Sequence, residues 1–513
     1  MRPLNHKLLR DLLTHRGQYL AIALVIAIGI AAQVSTGGLL VSVGTARDEF
    51  YAAGRFADLF LSVKRAPDSE IPRLAALPGV RAVSTRVSSL ALVIDPRFPD
   101  TPSLQLLSWS DTLDHVLLQS GRSPQAGATE VVLASAFASA NGLAPGDRLT
   151  VVARGRRTEL DIVGVGDSPE FVYSIGPGEM LPDYRRHGVA WMANERLAAM
   201  TGLSGAFNTV SVALAPGASE PAVIERLDAT LARYGGLGAY GRGEQMSHRF
   251  IQNELDELRI HATVVPMIFL AAAAFLLHLV ITRRVQRERE LIGMLKSFGY
   301  GNAAIALHYL MLGLAIFAVG AALGLLLGIW LGQLLAGIYL DFFRLPDLGF
   351  SMDPGRTVLG MLVAAAAVAT GTFAGLRAVV RLPPAEAMRP PAPPDYRASR
   401  IAGQLRWLGL PERLVVRHLA RTPLRTLLTL IGLATACALV AFSGFQSDAI
   451  DFMTSHQFDR QDRSDLTVTF HEPRPGRAVQ DLMHRQGVRL AEPFRSVPVR
   501  LQHGHAHYRT VVE

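Results

Sequence analysis

Few residues in this sequence have the types and spacing that chemistry needs. Its three lysines are Lys7, Lys64 and Lys296, and none closes a glycine-rich phosphate loop. The pattern G-x-x-x-x-G-K-[ST] is absent, so the chain carries no ATP-hydrolysing loop of its own. No G-x-S-x-G elbow, HExxH helix or Cys/His zinc spacing occurs. The single cysteine, Cys437, excludes an intrachain disulfide framework. His503-x-His505-x-His507 would put three imidazoles on one face of a single strand, where they could hold a metal ion. Solvated tail histidines are the simpler reading, and no metal site is assigned. His278 lies in an apolar run and could relay protons, but an interfacial or helix-packing histidine is the simpler reading.

The most informative segment is TRRVQRERELIGMLKSFGYGNAAI, residues 282–305. Arg287, Glu288, Arg289 and Glu290 form a charged run. Leu291, Ile292, Leu295 and Phe298 follow as an apolar stripe at helical spacing, and Gly299 and Gly301 end the helix. A short amphipathic helix of this kind can lie in a membrane interface or dock into a partner's groove. Glycines mark a second pattern. Gly320, Gly324, Gly328 and Gly332, extended by Ala336, recur every fourth residue, and Ala367, Gly371 and Gly375 do the same further on. Such faces let helices approach closely.

The elements that must position these residues are membrane spans. Half of the 513 residues are apolar and 18% are charged, where soluble domains hold about a quarter charged. Five stretches reach the length of about 20 apolar residues that a span requires: 19–43, 262–281, 306–338, 357–376 and 424–445. The first has the basic flank of a signal peptide, but its apolar and small residues continue through GGLLVSV, so it is read as an uncleaved anchor. Residues 1–17 carry net charge +3, residues 282–303 +3 and residues 377–426 +7, whereas residues 47–248 carry −3. Excess Lys and Arg mark the cytosolic side. The segments 1–18, 282–305 and 377–423 are therefore expected inside, and 44–261, the turn 339–356 and 446–513 outside. The overall charge of +8 belongs to membrane-flanking segments, which argues against nucleic acid as a partner.

Between the first two spans, residues 44–261 read as a mixed α/β domain. Alternation marks strands at 58–63, 87–94, 147–153 and 208–214, with helices at 134–141 and 222–234. Helices 45–56 and 245–261 would extend the adjoining spans as stalks. A shift of 407 residues lays Leu9-Arg10-Asp11-Leu12 on Val416-Arg417-His418-Leu419 and Asp58-Leu59 on Asp465-Leu466. One insertion later, Gly79-Val80-Arg81 falls on Gly487-Val488-Arg489. Both copies enter from the same side, so the pattern is a parallel internal duplication. The second copy reaches only the start of its outer domain, and the chain is expected to be a fragment or a truncated form of an eight-span architecture.

RERELIGMLKSFGYGNAAI resembles the coupling segment of FtsX-like/MacB-type ABC transporter permeases. Glu290, Ile292, Gly293, Leu295, Lys296 and Gly299 match the family pattern, and Phe298 replaces a smaller or aliphatic residue. LPPAEAMRP (382–390) resembles the family's closing motif, with Met388 for leucine. GATEVVLASAFASANGLAPGDRLTV (127–151) and LDIVGV (160–165) resemble its periplasmic core, and SPEFVY (168–173) with RRHGVAWM (185–192) its duplicated branch. The resemblance implies a polytopic α-helical membrane protein of the bacterial plasma membrane with a large extracytoplasmic α/β domain. It further implies that residues 287–290, Ile292, Gly293, Leu295, Lys296 and Gly299 meet a cytosolic ABC ATPase dimer. No cofactor would be bound directly, and ATP and Mg would act through that partner. Expected contacts are membrane lipid and a periplasmic partner protein, with a lipid, lipoprotein or other amphiphile as cargo. The alternative is mechanotransmission without transport, activating an extracytoplasmic enzyme or sensor. A plain membrane receptor or scaffold would need no ATPase.

Overall fold

A computed structural model describes residues 2–98, 100–177, 179, 181–343, 345–346, 348–380, 383, 409, 412, 415, 419, 423–461, 463–468, 470, 474–495, 497–503 and 506–512. The closing motif at 382–390 falls almost wholly outside them. The chain divides into two compact units. One comprises Met1–Thr45, Glu254–Leu340 and Asp347–Arg463, and the other Ala46–Asn253, Asp341–Pro346 and Ser464–Glu513.

The first unit is helical. It contains α1 (Arg2–Thr14), most of α2 (Arg16–Ala53) and α7 (Met246–Arg287), then α8 (Arg289–Ser297), nearly all of α9 (Asn302–Phe342), α10 (Pro354–Val380) and α11 (Pro423–Ser455). Among the described residues, four helices are long and apolar enough to cross a membrane: Arg16–Ala53, Met246–Arg287, Asn302–Leu340 and Pro354–Leu376. The fifth expected span falls within α11, which is not one of these four. Ile26, Ile30, Leu277, Ile281, Leu312, Ile316, Ala364 and Val368 meet in one buried cluster, drawn from α2, α7, α9 and α10.

The glycine stripe explains how α2 and α9 fit. A Cβ at Gly320 would lie 2.7 Å from the Ala23 carbonyl oxygen, one at Gly324 2.7 Å from that of Ala27, and one at Gly328 2.7 Å from Val34 Cβ. Gly332 faces the Phe350 ring. Gly371 and Gly375 of α10 lie against the backbone of α7, with Cβ positions 2.4 Å from the Ala274 oxygen and 3.0 Å from the His278 oxygen. Close backbone approach replaces hydrophobic burial as the source of contact where lipid is the solvent. His278 is thus at a helix contact, and its carbonyl accepts the Thr282 hydroxyl at 2.7 Å.

The second unit holds two sheets. Strands β1 (Leu59–Pro67), β2 (Val80–Arg86), β10 (Ala206–Leu214) and β11 (Tyr240–Gly241) pair in the order β11-β1-β10-β2, all antiparallel. Helix α3 (Ile71–Ala75) joins β1 to β2, and α6 (Glu220–Leu231) joins β10 to β11. This is a ferredoxin-like βαββαβ arrangement. Leu59, Leu61, Val63, Val210 and Val212 from alternate strand positions pack on Val223, Leu227 and Leu231 of α6, which is the period-2 and period-3.6 matching that such a layer requires.

Everything between β2 and β10 is an inserted subdomain. Strands β3 (Ser88–Val93), β4 (Ser103–Ser108), β5 (Leu117–Gly121), β6 (Glu130–Ala134), β7 (Arg148–Ala153), β8 (Arg156–Asp167) and β9 (His187–Met192) form its sheet, with α4 (Ser135–Asn141) and α5 (Asn194–Thr201) beside them. The order is β5-β8-β6-β9-β4-β3-β7, and β7 pairs again with β8. The long β8 thereby closes a ring of six strands, which removes most of the free edges. Inside lie Leu104, Leu106, Val131, Leu133, Leu149, Val151, Leu160 and Ile162, all buried.

Two sequence expectations for the C-terminal segment change. The alternating segment DLTVTF (465–470), which the shift of 407 residues lays on DLFLSV (58–63) and so marks as a strand, forms none at residues 465–468 and 470. Strand β1, by contrast, is held by β10 and β11. The three tail histidines do not share one strand either. β12 (Val497–His503) ends at His503, β13 (Ala506–Val512) begins after it, and His507 lies opposite Gln502. His505 is outside the described residues.

Candidate functional site

The segment between the second and third spans is helical almost throughout. Only Glu288 separates α7 from α8, and the backbone bonds continue across it, from Glu288 N to Arg284 O and from Ile292 N to Glu288 O, both 2.9 Å. Gly299, with φ of +91°, stops α8 in the left-handed region that favours glycine, and Tyr300 N closes onto Leu295 O at 3.1 Å.

The apolar stripe of α8 splits. Ile292 is 1% exposed and joins the helical core, and Gly293 is buried beside it. Leu291 and Leu295 are half-buried along a small cleft that Ile305 and Tyr309 also line. Phe298 turns outward, 81% exposed, with Met294 one turn earlier at 46%. Arg287 and Glu290 are exposed on the same segment, while Arg289 and Lys296 are half-buried. Burial pushes the Lys296 ammonium below its ordinary value. The outward face of this segment is thus Met294 and Phe298 with Arg287 and Glu290, a narrower set than the charged run and apolar stripe of the sequence.

Glu288 faces inward. Lys7 Nζ of α1 donates to its Oε2 at 2.7 Å, Tyr309 Oη of α9 donates to the same oxygen at 2.8 Å, and Arg284 Nη2 of α7 lies 2.9 Å from Oε1. Burial disfavours its charge, but the bonds from Lys7 and Tyr309 and the charges of Lys7 and Arg284 outweigh that and hold the carboxyl below its ordinary range. Asp11 completes the set, 2.8 Å from Lys7 Nζ and 2.6 Å from Arg284 Nη2. Arg284 also donates to the Tyr19 hydroxyl. Sequence reasoning missed this cluster. Its signal was the pair Lys7/Asp11 and the pair Arg284/Glu288, each four residues apart on a helix.

A second polar cluster lies within the α/β unit, where the ends of the two long helices enter it. Arg86, at the junction of β2 and β3, is fully buried and reaches Asp114 Oδ2 at 3.2 Å, Glu170 Oε2 at 2.7 Å and Ser211 Oγ at 3.0 Å. Asp114 Oδ1 accepts the Ala57 amide at 3.0 Å, just past α2. The Glu170 carbonyl accepts Gln245 Nε2 at 2.9 Å, just before α7, and Ser247 Oγ accepts the Tyr173 amide at 2.9 Å. Burial pushes the Glu170 carboxyl upward even though Arg86 pulls it down. Through Asp114 and Glu170, one guanidinium at the junction of the two subdomains thus connects the end of α2 and the start of α7. The motif SPEFVY supplies this turn.

Four membrane-length helices, a glycine-packed helical unit and an inserted-barrel α/β domain define a multi-pass membrane protein with a large domain between its first two spans. Residues 20–230 match the MacB-like periplasmic core domain, and residues 263–384 match the C-terminal domain of FtsX-like permeases. The chain thus carries the domain pair of FtsX-like/MacB-type ABC transporter permeases, a MacB-like periplasmic core domain within residues 20–230 and an FtsX-like permease domain within residues 263–384. It is 23% identical over 281 residues to an uncharacterised ABC transporter permease protein of Mycobacterium tuberculosis, a match covering 54% of this chain and 30% of that relative's length. Among solved structures it is similar to the extracellular domain of the noncanonic ABC-type transporter YknZ from Gram-positive bacteria, at 15% identity and TM-score 0.25, over 35% of this chain and 97% of that one. It is also similar to the periplasmic region of MacB from Actinobacillus actinomycetemcomitans, at 12% identity and TM-score 0.27, over 40% and 94% of the two chains.

Proposed function

We propose that this chain is the membrane subunit through which a separate cytosolic ABC ATPase dimer moves an extracytoplasmic domain. ATP and Mg act through that ATPase. The observation that carries the reading is α8: a helix anchored by buried Ile292 presents exposed Met294 and Phe298 beside Arg287 and Glu290. An apolar pair flanked by both charge signs suits docking into a partner groove. The net charges of the flanking segments put α8 and the N-terminus in the cytosol of a bacterial plasma membrane. Helices α2 and α7 each run unbroken from one compact unit into the other, which supports mechanical transmission along them. The first four spans, 19–43, 262–281, 306–338 and 357–376, hold no Lys, Arg, Asp or Glu, which argues against an ion or sugar pathway and favours a lipid, lipoprotein or other amphiphile handled at the outer face. Activation of an extracytoplasmic enzyme or sensor would use the same motion. The Leu9–Leu12 and Asp58–Leu59 correspondences support a parallel second copy in which α11 is the fifth span.

Co-purification with a cytosolic ABC ATPase from the same organism tests the reading. Met294→Ala with Phe298→Ala should abolish capture while leaving the helical unit folded, because neither side chain is in its core. Undiminished capture of the ATPase would sink the assignment.

A further inference from the structure

We propose that the N-terminal helix α1 is a strut that sets the position of α8, with Lys7 and Asp11 as its positioning residues. Its functional consequence rests on the reading of α8 as the ATPase-docking helix, whereas its geometry does not. Four side chains alternate in charge around a closed ring. Lys7 meets Asp11 at 2.8 Å, Asp11 meets Arg284 at 2.6 Å, Arg284 meets Glu288 at 2.9 Å, and Glu288 meets Lys7 at 2.7 Å. All four are at most 22% exposed, so water and salt screen the ring weakly. The ring closes on Glu288, the one residue between α7 and α8. Tyr309 adds a bond from α9, and Lys7 also lies 5.9 Å from the centre of the Tyr309 ring.

The consequence is directional. α8 is nine residues long, too short to hold its own orientation in water. Ile292 fixes one side of it, and Glu288 fixes its origin. Removing Lys7 leaves Asp11 and Glu288 sharing the single cation Arg284 and breaks the only link of the ring that joins α1 directly to Glu288. The bond between Asp11 and Arg284 then holds α1 to α7 but no longer to the start of α8. A loosened α8 would still present Met294 and Phe298, but at no fixed angle, so ATPase binding would persist while transmission of its closure would fall.

The test uses the full chain in lipid nanodiscs, with Cys437→Ser and a nitroxide at Ser297→Cys. Lys7→Met should increase the mobility of the label, and Lys7→Arg should restore it. A label at Leu326→Cys, on the lipid-facing side of α9, should not respond. Unchanged mobility in Lys7→Met, or failure of arginine to restore it, would overturn the strut. In unlabelled protein with its ATPase, Lys7→Met should lower permease-dependent ATP turnover several-fold while co-purification persists. Turnover equal to wild type would overturn the positioning role. An ATPase that does not bind the unmutated chain would instead overturn the docking reading, and the mobility result would still decide the strut.

Discussion

Replacing Gly324 by alanine adds one methyl group, and the structure fixes what it meets. The new Cβ would lie 2.7 Å from the Ala27 carbonyl oxygen and 2.9 Å from Ile30 Cβ, where ordinary contact begins at 3.4 Å. The first obstacle is backbone, which cannot rotate away, so α9 must retreat from α2 by roughly 0.7 Å, enough to forfeit a quarter or more of each dispersion well along the seam. Overpacking of this kind costs about 1–3 kcal/mol, or up to roughly a hundredfold in the folded ratio. Gly320 and Gly328 face the same helix at the same Cβ distance of 2.7 Å, so one retreat accommodates all three. The triple alanine variant should therefore cost much less than three times the single. Gly337, on the same helix, has open space at its Cβ. Gly337→Ala should stay within about 1 kcal/mol of wild type, on the stabilising side. Unfolding of the purified protein in lipid, followed by a steric-trap or denaturant titration, measures all three variants. A Gly324→Ala variant as stable as wild type, or strictly additive losses, would refute the account of the seam.

Three further outcomes follow from the α/β unit and the membrane helices. Arg86→Met strands Asp114 and Glu170 in the interior and should cost about 3–5 kcal/mol, read as a fall in thermal midpoint; Glu170→Gln should cost less, because burial already favours its protonated form. His187 is buried at the start of β9 with Ser103 Oγ 2.8 Å from its Nδ1, and burial depresses its pKa below the ordinary 6.5. The unfolded chain therefore binds the proton more readily, and stability should be full above about pH 6.5 and fall as pH drops below it. Hydrogen exchange of residues 187–192 at pH 7.5 and 5.5 reads this, and His187→Asn should flatten the difference. Gln33 of α2 donates to the Arg356 carbonyl at 3.2 Å and lies against Gly360, so Gly360→Val should weaken α2–α10 contact, seen as loss of cross-linking between cysteines placed on the two helices.

What the sequence made legible is what depends on local pattern. The four membrane helices follow from apolar length alone, and the glycine stripes from a spacing of four. β1, β3, β7 and β10 follow from alternation. β9 did not stand out as a strand, because all six residues of HGVAWM are buried and a strand covered on both faces shows no alternation. Closure of the barrel by β8 was equally hidden, since it depends on one strand pairing at both ends. The polar clusters were least legible. Lys7 and Glu288 are 281 positions apart, and charge counting assigns both to one cytosolic surface without saying that they touch. The split of the α8 stripe has the same origin. Helical spacing groups Ile292 with Phe298, but only the packing of α7 and α9 decides that the first is core and the second is not.

The proposed function requires α8 to dock the ATPase through its exposed apolar pair. A photo-crosslinking amino acid at position 298 reports this contact, in membranes containing this chain and a cytosolic ABC ATPase from the same organism, with position 326 on the lipid-facing side of α9 as the comparison. An ATP-sensitive cross-link to the ATPase is expected from 298 and none from 326. Equal cross-linking from both positions, or none from 298 in a complex that co-purifies, would contradict it.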